Sequence, residues 1–241
     1  VDQMDITPFH RAWARFSGWL AEHAPDDHAV LRPAATEEQI AAIETAYGVE
    51  LHPELTALLR LHDGTPWDVS RPSFGCFLPI GHRLSGTDQI ISMRQILLDF
   101  HEDFPENWGD WRDIWTDEPV IARSHRWVPF AEPNDGGLAF VDHCPGPTYG
   151  HVYEFGMGSG ASDVTLWGTS LTEFFDAMAT AVETGAPFQN SYPTFRELRR
   201  DHFPAYHPLV GRRFFDWNPT PDATTHDSEF VVHRVTASRK A

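Results

Sequence analysis

Fourteen histidines and two cysteines are the side chains of this chain best suited to hold a metal ion. Their tightest grouping is Asp142-His143-Cys144, with His151 on what reads as the next strand. Carboxylate, imidazole and thiolate together suit zinc, but the spacing is not that of a zinc finger, and neither HExxH nor CxxC occurs. Asp142, His143, Cys144 and His151 therefore stand as a weak alternative, a metal site set against ordinary packing or exposure. For Asp142 the ordinary role is a turn cap, since Asx turns are common before Pro-Gly. Gly156-Met157-Gly158-Ser159-Gly160 matches a nucleophile elbow only loosely. Met157 stands where a glycine belongs, and the segment reads as a strand-to-strand loop where the elbow needs a strand-to-helix turn. No GK[ST] phosphate loop is present. With 35 acidic residues, a chance carboxylate pair means little. The residues point to no enzyme and no cofactor.

Charge carries more information. Eighteen basic against 35 acidic residues give a formal charge of -17 in 241 residues. That argues against broad nucleic-acid or anionic-membrane binding and favours a basic partner. The densest run, 99–118, contains Asp99, Glu102, Asp103, Glu106, Asp110 and Asp113, opposed only by Arg112. Phe100, Phe104, Trp108, Trp111 and Trp115 interleave with these acids, whereas purely solvating tails are poor in such rings. Asp99, Glu102, Asp103, Glu106, Trp108, Asp110, Trp111 and Asp113 are thus the candidate partner-binding residues, the rival reading being a solvated acidic loop. Residues 191–241 are the basic region, and Arg196, Arg199, Arg200, Arg212 and Arg213 are expected to pair with the acidic body of the same molecule. No apolar stretch is long enough to span a membrane. The first residues lack a signal-peptide pattern, and two cysteines make no disulfide framework, so the expected location is cytoplasmic.

The elements that position these residues follow from spacing. Phe9, Trp13, Phe16 and Leu20 predict a helix from Thr7-Pro8 to about Glu22. Thr36 and Gln39 fit a capping box, with Gly48 at the helix end, and Pro53 opens a third helix. Phe74–Pro79 reads as a short strand, and Val120-Ile121 as another. A helix begins at Thr87 or Asp88, and the acidic loop follows it. Trp127–Ala131, Leu138–Asp142, His151–Phe155 and Val164–Trp167 read as strands, the first two joined by the turn Asn134-Asp135-Gly136-Gly137. Ser170 caps a last long helix. A short helix over Thr194–His202 and a strand over Phe230–Val235 complete the reading. Strands adjacent in sequence and joined by tight turns imply an α+β fold, an antiparallel or mixed meander with helices packed on one side. Trp127, Val152, Phe155, Leu171 and Phe174 are expected in the core.

The pattern from Trp127 to Phe174 resembles the SUKH superfamily, in particular its branch named after the yeast Smi/Knr cell-wall-synthesis regulator. The resemblance rests on Trp127-Val-Pro129-Phe-Ala131, Gly136-Gly137, Val141-Asp142, Pro145-Gly146-Pro147, Gly150-His151-Val152 and Ser170-Leu171. Upstream, Thr36–Ile40, Leu51–Pro53 and Leu61-His62-Asp63-Gly64 look like the family's opening. The match covers about 31–185, leaving 1–30 as a helical extension and 186–241 as an extension packed on the core. His151 stands where the family often has Gln. The resemblance implies structural roles for Trp127, Pro129, Gly136, Gly137, Asp142, Pro145, Gly146, Gly150 and Ser170. It also implies a non-catalytic protein binder, an immunity protein that neutralises a basic, nuclease-type toxin domain. The alternatives are a regulatory scaffold of wall synthesis and a metal- or small-ligand-binding protein.

Overall fold

Helix ends form where the side chains can satisfy them. In the computed structural model, which describes residues 4–67, 74–107, 118–134, 136–156, 164–201, 209–219 and 230–237 (103–107 and 118–119 by backbone alone), Thr36 Oγ1 accepts from Gln39 N–H at 3.2 Å. Gln39 Oε1 accepts from Thr36 N–H in return at 2.8 Å, closing the capping box of α3 (Glu37–Tyr47). Gly48 ends that helix at φ 63°, in the left-handed region. Before it come α1 (Thr7–His23) and the short α2 (Pro25–Ala29), divided at Pro25. α1 buries Phe9, Trp13, Phe16 and Leu20, the spacing that predicts it. Pro53 opens α4 (Pro53–Leu61). Ser170 Oγ accepts from Glu173 N–H at 3.0 Å and caps α7 (Leu171–Thr184).

Five strands form an antiparallel meander in chain order: β1 (Arg83–Leu84), β2 (Trp127–Glu132), β3 (Leu138–Asp142), β4 (Val152–Phe155) and β5 (Val164–Gly168). Gly136 and Gly137 sit at φ 93° and 114° in the β2–β3 connection, where an L side chain would be strained. The expected α+β class holds. The helices, however, reach both faces of the sheet. Register places Trp127, Phe140 and Phe155 on one face, where Phe100 of α5 (Thr87–Asn107) meets Trp127 and Phe155. The opposite face meets α7, with Phe174 against Phe130 and Trp167.

Four local expectations are corrected. Residues 99–107, read as the start of an acidic loop, continue α5. Leu97 and Phe100 keep helical spacing there, and their burial outweighs the charge run. Val120-Ile121 belongs to a helical turn, α6 (Glu118–Ile121), and not to a strand. Phe74–Pro79 holds no strand, only a Leu78–His82 bridge leading into a 3₁₀ turn at Pro79–Gly81. Thr194–Leu198 is not helical but lies in β6 (Tyr192–Leu198), the centre of a second antiparallel sheet ordered β7 (Arg213–Asn218), β6, β8 (Phe230–Arg234). Pairing on both edges decides this segment over its local helical pattern.

The second sheet packs on the first helix. Trp19 meets Phe195 and Phe215, and Trp217 Nε1 donates to Phe77 O at 2.9 Å. Asp27 of α2 ties this junction: its Oδ1 accepts from Gly75 N–H and its Oδ2 from Phe215 N–H, both at 2.9 Å. Burial pushes its pKa up to about 6, against the opposing pull of those two donors. The folded protein therefore takes up a proton near pH 6 that the unfolded chain takes up near 3.8. Its contribution to stability is greatest below about pH 4 and declines as pH rises to 6. Asp27→Asn leaves one acceptor for two donors and is expected to cost about 1–3 kcal/mol. Urea unfolding between pH 4 and 8 checks both points, since the variant should also lose this part of the pH slope.

Candidate protein-binding site

At one end of the five-stranded sheet, α5, the turn after α6 and the β3–β4 connection converge. Asp142 ends β3 and is wholly buried. Its Oδ1 accepts from Cys144 N–H at 2.8 Å and its Oδ2 from the Thr148 hydroxyl at 2.7 Å. Arg123 lies 3.5 Å from Oδ2 and also donates to Thr148 Oγ1 at 3.2 Å. The Asp142 backbone oxygen receives Gly150 N–H at 2.8 Å. The carboxylate thus caps the turn, satisfying donors that the chain reversal would leave unpaired. Gly150 sits at φ 86°, and a Cβ there would lie 2.6 Å from His52 Nε2. Neither the conformation nor the space admits a side chain.

His143 is committed in the same way. Its Nε2 accepts from His52 N–H at 2.9 Å, so the proton is on Nδ1, which donates to Val141 O at 2.9 Å. Burial pushes its pKa down to about 4, keeping the ring neutral at physiological pH. Glu54, at the start of α4, accepts from both the backbone N–H and the hydroxyl of Thr172. α4, the β3–β4 turn and α7 are thereby fastened together. Among the described residues no group of three or more His, Cys, Asp or Glu is placed to hold a metal ion. Asp142 and His143 are instead occupied by the turn itself, while the His151 ring contacts Tyr153 OH at 3.3 Å.

The other structural positions serve the same scaffold. Trp127 Nε1 donates to Val120 O at 3.2 Å, and its ring stacks on Phe140 at 4.0 Å. Pro129 stands where the β2–β3 register shifts, a place that tolerates a missing N–H. Pro145 and Gly146 form the exposed crest of the turn, Gly146 at φ 134°.

Beside this scaffold α5 shows its acids to solvent. Asp99 and Glu102 are exposed, while Leu97 is buried and Phe100 packs inward. Asp99 accepts from Gln95 Nε2 at 2.6 Å, and neither acid forms an ion pair among the described residues. Asp103 and Glu106 lie in the last turns of α5, at helical spacing from Asp99 and Glu102. The last turn contains no basic residue. Trp108, Asp110, Trp111 and Asp113 fall outside the described residues. Asp99 and Glu102 are three residues apart on the helix, so two like charges neighbour one another. That repulsion opposes the helix by a few tenths of a kcal/mol.

Sequence reasoning missed Arg123, His52 and Glu54. Each acts across a long sequence gap and leaves no local signal. Of the C-terminal arginines expected to pair with the acidic body, Arg212 reaches Asp26 there, while Arg196 pairs with Asp216 and Arg199 with Asp201 inside the C-terminal region itself.

A family model described as the SMI1 / KNR4 family (SUKH-1) matches residues 34–177. A search of curated proteins found no match. Asp142→Ala strips the turn of both acceptors and leaves Arg123 without its counter-charge. Its expected cost is about 3 kcal/mol in urea unfolding, given the size of charged hydrogen bonds in buried sites.

Proposed function

This chain belongs to the SMI1 / KNR4 family (SUKH-1), and from that premise we propose that it works as a non-catalytic protein-binding module of the immunity type. Its partner is a cationic bacterial toxin domain of the nuclease type, and the C-terminal half of α5 is its docking face. The observation that carries this reading is the exposed, unpaired charge of Asp99 and Glu102 on that helix. Asp99 and Glu102 are exposed and form no ion pair among the described residues, and no basic residue stands in the last turn of α5. A cationic surface relieves that repulsion. Phe100, packed on Trp127 and Phe155, fixes the helix so that the charges are displayed on a rigid support.

Electrostatic steering supplies the mechanism. An acidic face raises the encounter rate with a basic partner, and the gain falls as ions screen it. On a nuclease, such carboxylates would occupy the cleft that normally receives phosphates. The catalytic groups would then be covered without any chemistry by this chain.

The test is stopped-flow association with a basic toxin domain encoded beside this chain. Replacing Asp99, Glu102, Asp103 and Glu106 together by Asn or Gln should slow association at least tenfold at low salt and flatten its salt dependence. The same variant should be no less stable than the parent, since only repulsive charges are removed. Unchanged association kinetics would refute the docking face. Co-purification with wall-synthesis enzymes and no toxin binding would favour the scaffold reading.

A further inference from the structure

The second sheet has two edges, and they end differently. On β7 the outward N–H of Phe215 is held by Asp27 Oδ2 at 2.9 Å, so chain from α2 closes that edge. On β8 the direction of each backbone group follows from the ladder with β6. Val235, just past the strand, donates to Pro193 O at 3.1 Å. Val231 and His233 share its side, since successive residues of an antiparallel strand address opposite sides. Phe230, Val232 and Arg234 therefore turn their N–H and C=O groups to the outer edge. No described residue hydrogen-bonds them there. The strand holds no proline and runs in unbroken register with β6, so neither a missing donor nor a bulge blunts the edge. Val231 is 44% exposed, which leaves apolar surface beside it.

An open edge of this kind is a template for another strand. β8 is complementary to itself. Antiparallel pairing about a two-fold axis at Val232 sets Arg234 opposite Phe230 of the other copy and Val231 opposite His233, with no like charges face to face. A guanidinium over a ring is a contact this sheet already uses: Arg196 lies 5.4 Å from the Phe230 ring centre and Arg234 lies 5.6 Å from that of Tyr192. A parallel, in-register pair would instead set Arg234 beside Arg234. The flanking charges favour the same sense. In sequence Asp227 and Glu229 precede the strand and Arg234 closes it, so antiparallel copies bring unlike ends together. Net charge selects this region too. Residues 191–241 hold eight basic and six acidic side chains, whereas the whole chain holds 18 against 35. Two copies of an acidic chain repel least across the part that is not acidic.

We propose that the outer edge of β8 is an interface for a second copy of this chain, joining two three-stranded sheets edge to edge across a two-fold axis. Two strands of five residues bury less than the roughly 1,200–2,000 Å² of a stable interface, so the dimer is weak, with a Kd of about 10–100 µM. The acidic run lies on α5, a different element, so failure of the dimer would leave the docking face untouched, and the reverse also holds.

The test is sedimentation equilibrium of the full chain up to about 500 µM, which should show monomer and dimer in exchange. Val232→Pro removes an outward N–H and no ladder bond to β6, and proline is accepted at such edge positions. It should weaken association at least tenfold and leave urea unfolding of the dilute protein close to that of the parent. Arg234→Glu, which removes the guanidinium–ring contact, should weaken association as well. Amide exchange of the parent protein is a readout free of any folding defect. The Val232 and Arg234 amides should gain protection as concentration rises, while those of Val231 and His233 are protected throughout. A monomer at every concentration, or association unchanged by Val232→Pro, would overturn the proposal. So would protection gained on α5 instead, or Val232 and Arg234 already protected in dilute protein, where only the chain itself can cover the edge.

Discussion

Two consecutive phenylalanines hold the molecule together. Phe174 and Phe175 are both wholly buried on α7. Phe174 packs on Phe130 and Trp167 of the five-stranded sheet and on Phe188 of the C-terminal segment. Phe175 packs on Phe9, Trp13 and Phe16 of α1. One helical turn thus joins the family region to chain on either side of it. Such ring pairs are worth about 0.5–1.5 kcal/mol each beyond the area they bury. The Ser170 cap and the left-handed Gly185 set where α7 begins and ends, and so which residues face the sheet and which face α1.

This constraint explains what the sequence could and could not reveal. Features made by neighbours in sequence were legible: the Thr36–Gln39 box, Gly48, the glycines of the β2–β3 turn, and the alternation that buries Trp127, Val152 and Phe155. Features made by distant partners were not. β1 is two residues long, and only its pairing with Glu132 and Ala131 makes it a strand. β6 is a strand because β7 and β8, well beyond it in the chain, hydrogen-bond to both its edges. Locally its residues spell a helix as readily. The end of α5 failed for a different reason: a charge run suggests a loop, yet one face of the helix still carries Leu97 and Phe100.

At the candidate site the same division holds. The turn around Asp142 was legible because Asx chemistry is local, while its clamp by Arg123 is not. His143 and His151 looked like possible ligands in a list of residue types. Geometry separates them, since His143 is spent on the His52 backbone and Val141.

The net charge can now be divided by what the carboxylates do. Asp27, Asp142 and Glu54 are buried and bound to backbone or hydroxyl donors, so they shape the fold and offer nothing to a partner. Asp26, Glu37, Asp176 and Glu183 are paired with arginines of the same chain. Glu154 differs from both sets: it is 9% exposed, its carboxylate makes no hydrogen bond among the described residues, and burial pushes its pKa up to about 7. A carboxylate so placed adds little negative field at neutral pH, because part of its population is protonated. The charge able to act at a distance is therefore carried by exposed acids without an internal cation, and Asp99 and Glu102 on α5 are of that kind. Net charge alone says only that a protein repels anions. Sorting it by burial and partner shows which acids can act at a distance, and among them Asp99 and Glu102 share the solvent face of α5, braced from behind by Phe100 on Trp127.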